Sequence, residues 1–122
     1  MSDKESQIDQ VTLTIEEARA QIDKSSALRR LEKNKDFKSI FLDGLLKEDA
    51  IGQVHLLASP QLFAPGPGAQ AAKKSIKVRL SMIGEFANYC RYIHQQAESS
   101  RAALADHENT REELLAEQLE ED

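Results

Sequence analysis

Tryptophan is absent from this chain of 122 residues, and its aromatics amount to four Phe and two Tyr. A core built on large rings is thereby excluded, so Leu, Ile and Ala must fill the space between elements. The single cysteine excludes an internal disulfide, and a reducing compartment or indifference to redox is expected. No apolar run is longer than four residues, far short of a membrane-spanning helix. The opening Met1-Ser-Asp-Lys-Glu-Ser6 lacks the apolar core of a signal peptide, which predicts a soluble product kept in the cytoplasm where it is made. Positive charge is also in short supply: the net charge is −5 and the pI about 5.2, against the expectation for a strongly basic nucleic-acid binder.

Charged residues make up 30% of the chain and hydrophobic ones 40%. The acidity is local, because 108–122 carries seven acidic residues and one Arg, leaving the rest of the chain close to neutral. All three prolines and two of the five glycines fall within Ser59–Gly68, so that segment is read as a loop; the flanks hold no proline, and Gly44, Gly52 and Gly84 weaken the helices they stand in.

The flanks carry helical periodicity. In Ile76–Ala97, one apolar stripe comprises Ile76, Leu80, Ile83, Ala87, Cys90 and Ala97, and a second comprises Met82, Phe86, Tyr89 and Ile93. Steps of three and four residues predict an α-helix, and two stripes predict a helix packed on two sides. It is expected to run from about Ala69 to Asp106, roughly 57 Å at 1.5 Å per residue. That exceeds a compact single domain, so part of it is expected to project and meet other chains. An acidic helical tail follows over 107–122.

Upstream, Ile8, Val11, Ile15, Ala18 and Ile22 form a heptad-like seam that Ser25 and Ser26 interrupt after about two heptads. Thr14 and Glu17 match a capping box, which predicts a flexible stretch over 1–10 and a first helix over 15–33. Asn34 and Asp36 mark a break and a new helix start. Two short helices follow, Phe37–Leu46 and Ala50–Ala58, the second capped by Asp49 and with His55 near its inner face. Leu62 and Phe63 are the expected anchors of the 59–68 loop. The reading is a single all-α domain over 1–122: a helical hairpin or small bundle with a long C-terminal helix, two short middle helices and a Pro/Gly loop.

Chemistry is sparse. His55, His94 and His107 stand in separate elements, and none has Cys or carboxylates at metal-ligand spacing. His94 adjoins the apolar stripe and reads as a core or boundary residue. Cys90 lies on the stripe and reads as a small hydrophobe, with no nucleophile signature around it. Gly66-Pro67-Gly68 is a turn beside prolines, not a phosphate loop. Neither an enzyme, a cofactor, a metal, a membrane nor a small-molecule substrate is expected. Lys73, Lys74, Lys77 and Arg79 give the start of the long helix a positive face, the unfavourable sign there. Their candidate contacts are phosphate or an acidic partner, of which the chain's own acidic tail is one; the alternative is a solvated face with no partner. Gly84 presents a small-residue face that would admit another helix, with a tolerated glycine in a crowded intramolecular core as the alternative. Candidate interface residues are Ile8, Val11, Ile15 and Ile22 at one end and Leu114, Leu115 and Leu119 at the other; each set has the alternative of folding back on its own chain.

The run Leu28–Ile51, with Leu31-Glu-Lys-Asn-Lys-Asp-Phe37 at its centre, is followed by Val54-His-Leu-Leu-Ala-Ser-Pro60 and by Ile83-Gly-Glu-Phe-Ala-Asn-Tyr-Cys-Arg-Tyr-Ile93. Together these resemble a group of small α-helical proteins encoded by tailed bacteriophages, often among virion and head genes. The chain departs from that group at Leu45 and at Gly52-Gln53. The resemblance implies a virion location and a structural or assembly role, in contact with other virion proteins or with further copies of itself, without a known activity. The alternatives are a phage-made regulator that inhibits a host protein and a DNA-packaging adaptor.

Overall fold

The computed structural model describes residues 2–121, and every element among them is helical. Helix α1 spans Ser2–Lys33, the single turn α2 spans Lys35–Phe37, and a wide π-helical segment spans Lys38–Asp49. Helix α3 follows directly over Ala50–Leu57, a 3₁₀ turn covers Pro60–Phe63, and α4 runs unbroken over Pro67–Glu121. The all-α reading, with a long C-terminal helix, describes the molecule.

Several local expectations are corrected. The stretch 1–10 is helical from Ser2, so Thr14 lies well inside α1 and caps nothing. Its hydroxyl instead donates to the Gln10 carbonyl at 3.0 Å, the usual resort of a threonine whose neighbouring amides are already bonded within the helix. Asn34 does recap the chain, its Oδ1 accepting from the amides of Asp36 and Phe37, both at 3.0 Å. Asp49 makes no cap bond, because its backbone is already helical and the chain passes from the π segment into α3 without a break. The long helix starts at Pro67, not at Ala69, and absorbs the acidic tail. Gly66, at φ +123°, makes the turn that only glycine tolerates, and Pro67 then supplies a first helical residue with a preset φ.

The chain forms two compact units. Unit 1 joins residues up to Leu28 with those from Tyr92 onward. Within it α1 and α4 run antiparallel: Lys4 pairs with Glu117 and Glu121, Arg19 with Glu108, and Ser25 with His94. Ile15 and Ala97 are fully buried, and Ala18, Leu28 and Ile93 nearly so. Burial follows a heptad on both strands of the hairpin: Lys4, Ile8, Val11, Ile15, Ala18, Ile22 and Ser25 on α1, and Ile93, Ala97, Ser100, Leu104, His107, Arg111 and Leu114 on α4. That 3.5-residue repeat keeps one seam facing the other helix along the hairpin. The α1 seam is thus longer than two heptads. Ser25 extends it instead of ending it.

Unit 2 covers Arg29–Arg91. Its buried residues are Leu62, Ile76 and Ile83, and Phe37, Phe41 and Phe86 add a ladder of rings with centroids 5.0 and 5.6 Å apart. Leu62 anchors the 3₁₀ turn as expected. Phe63 does not: it is 71% exposed, because a three-residue turn points consecutive side chains in different directions.

Candidate interaction surfaces

In unit 1, Ile15 is at the centre of the intramolecular seam, with Ile8, Val11 and Ile22 half-buried beside it. Leu114 joins them, lining one hollow with Gln7, Gln10, Val11, Thr14, His107 and Thr110. Of the seven interface candidates, then, five line the hairpin's own seam. Leu115 and Leu119 point outward, Leu119 at 76% exposure. On that outer side α4 offers an acidic surface set with small and apolar residues.

Of the polar residues of the seam, His94 lies at the core boundary as expected, Ser25 is a seam position and not an interruption, and Gln21 and Ser100 carry no signal noted in the sequence. Ser25 is fully buried, with Oγ 2.7 Å from His94 Nδ1. Ser100, also buried, donates to Gln21 Oε1. No buried side-chain nitrogen or oxygen among the described residues lacks a partner. Such paired polar positions fix the register of two helices, since sliding one past the other would leave donors and acceptors unmet. The signal that finds them is spacing alone: Ser25 stands seven residues after Ala18, and Ser100 seven after Ile93.

In unit 2, the second apolar stripe of α4 divides. Phe86 turns inward, whereas Met82 is 67% exposed and Tyr89 52% exposed, next to an equally open Val78. The expectation of a helix packed on two sides is met on one side only within this unit. Ile40, Ile51 and Val54 are also more than half exposed, so unit 2 presents much apolar surface.

The four basic residues at the start of α4 do not act as one cluster. Lys73, Lys74 and Lys77 line a shallow groove with Gln70, Val78 and Ser81. Arg79 borders a separate hollow with Gln53, Leu56, Ser59, Gln61, Leu62, Ala72, Ser75 and Ile76. Lys73 Nζ lies 5.6 Å from the centre of the Phe63 ring, a cation–π contact that gives the exposed ring a use. None of the four makes an ion pair among the described residues.

Cys90 is half-buried, and burial pushes its thiol up, helped by the Glu32 carboxylate. Both effects disfavour the thiolate, the nucleophilic form. At the rim of unit 1, a hydrogen bond from Lys4 holds the Glu121 carboxyl below its usual range, and the same bond raises Lys4. Among the described residues no group of three or more His, Cys, Asp or Glu is placed to hold a metal ion, and no helix is long and apolar enough to cross a membrane. No family model, curated protein or solved structure matches the chain.

Proposed function

We propose that this chain is a non-enzymatic structural or assembly protein of a tailed-bacteriophage virion, working in the head, neck or internal core by docking its helices on other virion proteins. The observation that carries this reading is the exposed apolar face of α4 in unit 2, where Val78, Met82 and Tyr89 follow one another at helical spacing. Apolar side chains gathered in this way mark surfaces that bind other proteins. The cationic groove beside them adds charge that steers and orients a partner. The sequence resemblance to phage virion and head proteins supplies the setting.

Mass spectrometry of purified particles, together with a nonsense mutant of the gene, tests the reading. The chain is expected at a fixed copy number per particle, with assembly stalled in the mutant. Particles that lack the chain, formed at normal yield without it, would end the proposal.

A further inference from the structure

We infer that a hollow in unit 2 binds the C-terminal end of another protein chain, with the terminal carboxylate on Arg79 and an apolar last side chain on Leu62 and Ile76. The inference goes beyond the reading above, since no residue of the Val78, Met82 and Tyr89 face lines this hollow except through their shared helix.

Three pieces of unit 2 build the walls. Gln53 comes from α3, Ser59, Gln61 and Leu62 from the 3₁₀ turn and the residue before it, and Ser75, Ile76 and Arg79 from α4. The α4 residues recur at spacings of three and four, which puts them on one face of the helix. Backbone bonds fix the turn: the Ser59 amide donates to the Leu56 carbonyl at 3.1 Å, and the Leu62 amide to the Ser59 carbonyl at 3.0 Å. The walls are therefore set before a ligand arrives. The space measures about 390 Å³. That is low in the range of about 300–1,000 Å³ found for ligand sites, room for a small molecule or a chain end.

Leu62 and Ile76, both buried, form an apolar floor. Around it stand the carboxamides of Gln53 and Gln61, the hydroxyls of Ser59 and Ser75, and one guanidinium. Arg79 carries the only charge among the lining residues. None of these five polar side chains bonds or pairs with another described residue. A guanidinium presents a planar fork that fits a carboxylate through two parallel bonds. One positive charge matches one negative charge. A nucleic-acid strand would call for a row of cations, and the three lysines of α4 line a different groove. Carboxamides both donate and accept, as a peptide group requires of its partners. An apolar residue with a free carboxylate and a peptide bond before it meets every one of these groups, and that is the end of a chain. A free aliphatic acid shares the carboxylate and the apolar group but leaves the carboxamides without a partner.

The test uses the isotope-labelled full chain, titrated in NMR with acetyl-Ala-Ala-Leu bearing a free carboxylate. Saturable shifts are expected at Gln53, Gln61, Ser75 and Arg79. The same peptide with a C-terminal amide should bind about 10-fold more weakly, because a charge-assisted pair is lost. Arg79 is exposed and unpaired, so Arg79→Gln should keep the fold. It should bring the free acid down to the affinity of the amide and leave the amide unchanged. Ser75→Leu, at an exposed position, should block both peptides. Isocaproate should bind more weakly than the peptide by about 10-fold; equal affinity would make the ligand a free acid and overturn the chain-end assignment. The inference also fails if nothing saturates, if acid and amide bind alike, if Arg79→Gln weakens both equally, or if the shifts centre on Lys73, Lys74 and Lys77. None of these results touches the virion reading, which fails only if particles lack the chain.

Discussion

Ser25 Oγ and His94 Nδ1 lie 2.7 Å apart in the seam of the α1–α4 hairpin, with Ser25 wholly shielded from water. A buried hydrogen bond of this kind is costly to half-remove, because the partner left behind stays desolvated. Ser25→Ala is expected to lower stability by about 1 kcal/mol. Combining it with His94→Leu should recover part of the loss, since both polar groups are then gone. Urea unfolding of the three variants checks this; an unchanged midpoint for Ser25→Ala would show that the bond contributes nothing.

Ile15 and Leu119 were equal candidates for an interface, yet one is 0% and the other 76% exposed. Ile15→Ala should cost about 2–5 kcal/mol through lost burial and the cavity it leaves. Leu119→Ala should stay within about 0.5 kcal/mol. The two unfolding midpoints decide the matter, and equal losses would contradict the placement of the seam.

Gly44 lies in the wide helix, where an added Cβ would stand 2.8 Å from the Ser39 carbonyl oxygen. In an ordinary α-helix, replacing glycine with alanine stabilises by about 1 kcal/mol. Here the methyl opposes the i→i−5 geometry that brings Ser39 close, so Gly44→Ala is expected to lower the melting temperature or leave it level. A rise matching the usual alanine gain would mean that the segment is an ordinary α-helix in solution.

Lys4 and Glu121 tie the open end of unit 1, and the bond shifts each in the direction that favours its charge. The Glu121 carboxyl titrates lower in the folded than in the unfolded chain. Its contribution is therefore complete above the ordinary glutamate value and fades as pH falls through the lowered one. Lys4 titrates higher when folded, so its contribution is complete below the ordinary lysine value and fades as pH rises through the raised one. Glu121 is open to solvent and Lys4 half-buried at the rim, so salt still screens the pair. Lys4→Ala should reduce the melting temperature slightly at neutral pH and low salt, with the difference vanishing in acid and at 1 M salt. A difference independent of pH and salt would trace the effect to packing and not to charge.

Much of the helical hairpin was legible because its cause is local. Ile8, Val11, Ile15 and Ile22 announce their face through spacing, and Asn34 announces a helix start through its side-chain oxygen. Polarity misled where position mattered more. Ser25 looked like an interruption of the seam but occupies its next heptad place. Thr14 and Glu17 matched a cap motif that an earlier helix start made idle. Phe63 looked like an anchor by hydrophobicity, and Met82 and Tyr89 looked like a second packed stripe for the same reason.

The amino-acid order alone was enough to decide that this chain is helical and where proline and glycine interrupt it, because backbone preference and side-chain periodicity act over a few residues. It also set the angle at which each side chain leaves its helix. Only the packing of helix on helix decided which of those angles became interior. That choice depends on residues far apart in the chain, such as Ser25 and His94, meeting at one level of the seam. It left serines inside and a methionine and a tyrosine outside, an outcome no short window of sequence contains.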